Sequence, residues 1–320
     1  MKAVMYHYVR EFDDALPNFT YLRREDFVQQ LEYLREEFGF CRKHEFLGWI
    51  TDPETYVKPT GVVLTFDDGF ADHYHIVQPI LSDFKTWGVF YVPTGIFTSS
   101  KLLDVHRIHL LLGLLGGRRC MEMLRQCSSS DMFPDVLKHE FKSDTYLLQQ
   151  TSDEMTKEFK RMMNYFIDYE WRASLIDQLF KNIKDLNAAT ELERDFYLTP
   201  RMIGELHNAG NLIGSHSVTH RVMSKLSEDE QRLEIRVSLS ALADFTGHAV
   251  ETFSYPFGGF HTFTSATEDI LEEEGVKFSF NVEQRDISVS DAKFRPQALP
   301  RYDCNQFLHG KASTGTNGRS

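Results

Sequence analysis

Two short stretches of the chain carry side chains whose types and spacing can do chemistry. Thr65-Phe66-Asp67-Asp68-Gly69 places two adjacent carboxylates at the end of an apolar run. Burying such a pair is costly unless a cation or a proton accommodates it; otherwise the same residues make an ordinary Asp-Asp-Gly turn. In Ile213-Gly214-Ser215-His216-Ser217-Val218-Thr219-His220, two histidines stand four apart. On a helical turn that spacing puts both rings on one face, near enough to share a metal. His-x-x-x-His alone arises by chance, but here a strand-like run and a glycine precede it, as at a strand-end site. Two imidazoles and one carboxylate leave coordination positions open for water and substrate, which suits a catalytic zinc-like ion better than a closed structural one. The second carboxylate then serves as base for a water whose pKa the ion lowers towards ~7.

The elements that must position these residues alternate. Ala3 to Val9 reads as a strand, and Phe27, Leu31, Leu34 and Phe38 recur at helical spacing before Gly39. Gly61 to Phe66 is a buried strand that delivers Asp67 and Asp68 at its end; Ile76 to Phe84 reads as a helix and Gly88 to Val92 as a strand. This alternation implies a parallel sheet or barrel. Between residues 101 and 194 the rhythm breaks into helix-like sequence. There Met155, Phe159, Met162 and Phe166 keep one apolar face and Ser152 is placed to cap the helix. That stripe reads as core, with a homo-oligomer face or a substrate lid as the other readings. Alternation returns with Pro200–Ala209 (helix), Asn211–Ser215 (strand), Asp229–Thr246 (helix), Glu251–Tyr255 (strand), Thr267–Glu274 (helix) and Val276–Phe280 (strand). The expected organisation is one α/β unit over residues 1–310, interrupted by a helical insertion at about 101–194, with a Gly/Ser/Thr-rich tail, 311–320, read as disordered.

Thr65-Phe-Asp-Asp-Gly69 followed by His216-Ser-x-x-His220 resembles the polysaccharide deacetylase (NodB-homology) superfamily, carbohydrate esterase family four, over about residues 1–100 and 195–305. The resemblance implies a distorted (β/α) barrel with its site at the C-terminal strand ends. It implies Asp67 as catalytic base and Asp68, His216 and His220 as metal ligands. The family's Arg-x-Pro-Tyr/Phe motif appears as Ser254-Tyr255-Pro256-Phe257, so its arginine is missing. Proline has no N–H, so the donor after it is the Phe257 amide, assigned to the oxyanion hole; Tyr255 is placed at the substrate. The family's Leu-x-His motif, which supplies the general acid, here reads Leu299-Pro300-Arg301. His7, in Val4-Met-Tyr-His7, stands at the opening strand instead, as in the circularly permuted branch that includes deacetylases of poly-N-acetylglucosamine. His7 is therefore taken as general acid, and Arg301 as the replacement arginine, orienting Asp67 through a bidentate pair. Phe70, at the family's usual aromatic position, is placed to line the sugar site or, equally, to pack in the core. His73 and His75 read as surface or rim residues, and His106 and His109 lie outside any matched motif.

Composition narrows the partners. The 320 residues carry 47 Asp and Glu against 35 Lys and Arg, a net charge of −12. Nucleic-acid or anionic-membrane binding needs clustered basic residues, so both are excluded as default partners. The longest apolar stretch, Leu102 to Leu115, is broken by Asp104, His106, Arg107 and His109, too polar to span a membrane. Four scattered cysteines without a C-x-x-C pair, and no signal-peptide core, point to a cytoplasmic chain. The expected activity is metal-dependent removal of an N-acetyl group from an amino sugar of a surface-polysaccharide precursor or related glycan. The expected ion is zinc, with cobalt, nickel or manganese also accepted by such ligands. Removal of another acyl group such as formyl, or a non-catalytic carbohydrate-binding scaffold on the same barrel, are the competing readings; the missing motif residues favour the scaffold, the retained Asp-Asp and His-His pairs the enzyme.

Overall fold

The computed structural model describes residues 1–11, 16–99, 102–128, 132, 153–183 and 195–314. These divide into two compact units: one built from Met1–Glu11, Tyr21–Ser100 and Asp195–Ala312, the other from Lys101–Arg194 with two short flanking pieces.

The first unit is a parallel barrel of seven strands: β1 (Lys2–Tyr6), β2 (Val62–Phe66), β3 (Gly88–Val92), β4 (Leu212–Ser215), β5 (Thr252–Ser254), β6 (Phe278–Phe280) and β7 (Tyr302–Asp303), in the order β6-β5-β4-β3-β2-β1-β7. One segment closes the ring. Leu299 exchanges backbone bonds with Ser279 and Asn281 at β6, and Tyr302 and Asp303 pair with Val4 and Met5 of β1. The strands are buried on both faces, which is why they read as unbroken apolar runs.

The two-residue period of a strand decides which side chains face the barrel axis. Ala3, Val63, Val89, Tyr91, Phe280 and Leu299 form one cluster, completed by Phe46, Trp49 and Ile50 of helix α1 (Lys43–Thr51). The opposite parity, including Tyr6, Phe66 and Phe90, packs against surrounding helices. There the rings of Tyr6, Phe66 and Phe90 stack across strands, at 5.3 and 4.9 Å. Thr65 therefore faces the axis, and Asp67, two residues on, continues that face.

β1 ends at Tyr6 rather than running to Val9, because the Tyr6 carbonyl takes the Asp67 amide as its last ladder bond, at 2.9 Å. His7 is thus delivered just past a strand end. The expected helix at Ile76–Phe84 begins earlier, as a π-helical turn His73–Val77, and continues as helix α2 (Gln78–Asp83). Helix α3 (Glu228–Thr246) is opened by a reciprocal Ser227/Glu230 capping box and stopped by Gly247 in the left-handed region.

The second unit is helical over its described residues. Its segment Asp104–Cys127 is kinked at Gly116, where φ is 73°. In Glu154–Arg161 the cap is the Asp153 carboxylate, which accepts the Thr156 amide; Ser152, expected to cap, lies outside the described residues. Of the expected core stripe, Phe159 and Phe166 are buried and Met155 and Met162 half-buried, the helix passing at Met162–Phe166 into a π-helical turn. Of the tail read as disordered, Ser313–Thr314 is a short strand and residues 315–320 lie outside the described residues.

Candidate active site

Asp67 and Asp68 follow β2, His216 and His220 follow β4, and Ser254 and Phe257 stand at and beyond the end of β5. The backbone there is strained. Of seven non-glycine residues with positive φ among the described residues, four lie here: Asp68 (80°), Ser217 (64°), His220 (56°) and Phe257 (65°). Each costs roughly 1–3 kcal/mol, which persists only where surrounding bonds over-determine the shape. The two histidines therefore do not sit on a helical turn, as their spacing had suggested; the chain from His216 to His220 is an irregular loop. Gly69 (φ 64°) completes the turn after Asp68, and a Cβ there would come within 2.9 Å of Val92.

The loops bring three ligand-type atoms together. One carboxylate oxygen of Asp68 lies 3.5 Å from His216 Nε2 and 3.2 Å from His220 Nε2, and donor atoms of all three residues fall within 4.8 Å of one another. His216 Nδ1 donates to the Ser254 carbonyl at 2.7 Å. Since a carbonyl only accepts, that bond places the proton on Nδ1 and turns the lone pair of Nε2 towards Asp68, the tautomer a metal ligand needs. Burial pushes His216 down, but Asp68 and Asp67 more than offset it and hold its pKa above the ordinary value. A field that holds a proton there equally favours a metal ion.

Asp67 is separately engaged. Arg301 grips it bidentately, with Nη1 2.8 Å from Oδ1 and Nη2 on Oδ2. Ser254 Oγ donates to Oδ2 at 3.3 Å and accepts from Arg301 Nη2 at 2.7 Å. Arg301 Nη1 also donates to Thr65 Oγ1 (3.0 Å), and Nε to the Asn281 carbonyl (3.1 Å). All five guanidinium N–H groups are thereby answered, and Arg301 is fully buried. Its carbon end lies 5.7 and 5.9 Å from the centroids of Tyr91 and Phe280, within cation–π range. Burial alone would raise the Asp67 pKa, but Arg301 and then His216 reverse it and hold the carboxyl below its ordinary range.

Other expected site residues are placed as follows. The His7 carbonyl accepts from His73 Nε2 at 2.9 Å. The Phe257 ring meets His220 edge-on, centroids 4.9 Å apart. Phe70 and Tyr255 are each 1% exposed. Phe70 stacks on Tyr8 at 4.0 Å with Phe196 at its edge; Tyr255 stacks on Phe263 at 3.8 Å while its hydroxyl donates to the Gln297 carbonyl. Neither ring presents a face for a sugar, so the sugar-lining reading is corrected: both pack as core.

Two residues emerge that the sequence reading passed over. Ser254, seen only as a lost arginine, ties the Asp68–His216–His220 cluster to Asp67: its carbonyl sets the His216 tautomer and its hydroxyl bridges Arg301 and Asp67. His73, expected at the surface, is fully buried, and desolvation lowers its pKa to about 4. It is therefore neutral, and it pins the His7 carbonyl; His75, by contrast, is exposed. The π-helical turn carrying His73 had no sequence signal.

A family model for polysaccharide deacetylases matches residues 55–279, spanning both the Asp-Asp and the His-His motifs. The chain belongs to the polysaccharide deacetylase family. Membership makes it a hydrolase of the carbohydrate-deacetylase class, on the NodB-type barrel. Solved structures share the fold: the Streptococcus pyogenes deacetylase PplD in complex with acetate (17% identity, 95% of this chain and 91% of that one, TM-score 0.56); the BpsB deacetylase domain from Bordetella bronchiseptica (14%, 94% and 94%, 0.53); and IcaB from Ammonifex degensii (17%, 94% and 90%, 0.51). Among curated proteins none matches the chain significantly. Among the described residues, no helix is long and apolar enough to cross a membrane.

Proposed function

We propose that the chain is a divalent-metal-dependent amide hydrolase that removes an N-acetyl group from an amino sugar, releasing acetate and the free amine. The observation that carries this reading is the convergence of Asp68, His216 and His220 beside an Asp67 held separately by Arg301. The donor set fits zinc: two imidazoles, one with its Nδ1 tied to a backbone carbonyl, and one carboxylate. When bound, the ion would acidify water and polarise the acetyl carbonyl.

The chain's own groups supply the rest. Asp67, ionised through its pairing with Arg301, takes a proton from the attacking water. The Phe257 amide donates to the oxyanion of the tetrahedral intermediate. His7 gives a proton to the departing sugar nitrogen, so the amine leaves as a neutral group. The placement of His7 just past β1, as in the permuted branch of the superfamily, supports that role. The Cys41, Cys120, Cys127 and Cys304 thiols are all free, which supports a substrate met in a reducing compartment, such as a precursor of a surface polysaccharide.

The test pairs metal content with turnover on N-acetylglucosamine oligomers and nucleotide-linked N-acetyl sugars. Asp67→Asn should keep its zinc and lose turnover, while His216→Ala should lose the zinc. Substantial activity in Asp67→Asn, or full zinc content in His216→Ala, would overturn the assignments.

A further inference from the structure

The loop that carries both histidines holds an unusual set of bonds. It turns through Ser217 and His220 in the left-handed region; the His216 amide donates to the Val92 carbonyl of β3 at 3.2 Å, and no helix or strand ladder answers the amides of Ser217, Val218, Thr219 and His220. Side-chain oxygens answer all four instead. The Ser217 amide donates to Ser215 Oγ (3.2 Å) and the His220 amide to Ser217 Oγ (3.0 Å). The Val218 and Thr219 amides both donate to one oxygen of Glu234, at 2.8 and 2.7 Å. The other Glu234 oxygen accepts the Thr219 hydroxyl at 2.6 Å.

Glu234 comes from α3, outside every motif of the family resemblance. One turn further along, Ser238 meets Ser215 Oγ at 2.5 Å, so residues i and i+4 of one helix face grip both the root and the crest of the loop. Among the described residues no Lys or Arg pairs with Glu234; its hydrogen bonds go to the histidine loop.

We infer that Glu234 is a positioning residue of the metal centre. Resting on the function proposed above, it holds the strained His216–His220 loop so that both Nε2 atoms face Asp68. Two amides and a hydroxyl converge on one carboxylate, and charge-assisted bonds of this kind are about twice as strong as neutral ones. They offset the backbone strain of the loop. Without them the loop would relax, and His220, at its far end, would leave the ligand set first.

The full chain, stripped of metal, is titrated with zinc against a chromophoric chelator. Glu234→Ala should weaken zinc binding by about 10–100-fold, the usual effect of losing a group that orients ligands. Glu234→Gln keeps the size and one accepting oxygen, and should fall between wild type and Glu234→Ala; it carries the test where the alanine variant does not fold. Arg236→Ala, on the same helix as Glu234, removes an ion pair with Glu274 and should leave zinc affinity at the wild-type value. A merely structural Glu234 would lower the unfolding midpoint of its variants while leaving zinc affinity unchanged, and that result would overturn the inference. If the wild-type chain takes up no zinc, the metal reading itself falls. If the wild type binds zinc through His216 and both Glu234 variants bind it equally well, only the positioning role falls.

Discussion

Arg301 and Asp67 form a buried ion pair whose value depends on completeness. Burying two charges costs several kcal/mol per ion, and their attraction compensates only with good geometry and no orphaned donors. Here every guanidinium N–H has an acceptor, two of them on Asp67 and two on the hydroxyls of Thr65 and Ser254. Ser254 is short enough to leave room for a guanidinium arriving from the strand-closing segment, and its hydroxyl accepts from that guanidinium. Arg301→Lys keeps the charge but cannot reproduce the fork. The Asp67 carboxyl, now held below its ordinary range, should rise. A base must be ionised to act, so the acid limb of the kcat/KM profile should move to higher pH, by about one unit. An unchanged limb with unchanged kcat would refute the orienting role. The bidentate contact was anticipated from Leu299-Pro-Arg301; the Ser254 link was not, because a serine among strand residues carries no sign of what it will face.

At the scale of elements, strand parity does most of the positioning. Val63, Thr65 and Asp67 share one face of β2 and its extension, so the Asp67 carboxylate emerges over the barrel axis without a special device. β4 must then approach β3 closely, and Gly214 permits it: a Cβ there would lie 2.3 Å from the Tyr91 ring and 2.9 Å from Thr252. Tyr91 cannot easily yield, since it is fully buried and bonded to Thr252 Oγ1 at 2.7 Å. Gly214→Ala should destabilise the chain by about 1–3 kcal/mol, as overpacked cores do. Denaturant unfolding reads this directly, and a neutral result would mean the barrel wall is softer than its packing indicates. The alternating strands and helices of the barrel were legible because their periodicities are local. The conformation between His216 and His220 was not, because side-chain oxygens of Ser215, Ser217 and Glu234 answer its amides in place of a helix or strand ladder.

For the whole molecule, the site exists only when β1, β2, β4, β5 and the segment closing the ring are all in place. Asp68 stands 148 residues before His216 in sequence, so an unfolded chain does not hold the carboxylate beside the two imidazoles. Zinc that binds only the native state should therefore stabilise it, by about 2.7 kcal/mol at a free concentration 100 times its Kd. The thermal midpoint should rise with added zinc, fall on chelation, and stay indifferent to zinc in His216→Ala. A zinc-independent midpoint in the wild type would argue against a preorganised metal centre.

Residue types and local spacing by themselves determined the alternating α/β class, the paired carboxylates and the paired histidines, because each is written within a few neighbouring residues; the barrel and Arg301 as the partner of Asp67 were expectations from the family resemblance. Only the tertiary structure decided that Phe70 and Tyr255 are core, that His73 is buried and neutral, that Ser254 joins the two halves of the site, and that Glu234 braces the histidine loop. Those roles depend on which distant side chain fills the space opposite. Burial and hydrogen-bond partnership are properties of the folded arrangement, and no local pattern encodes them.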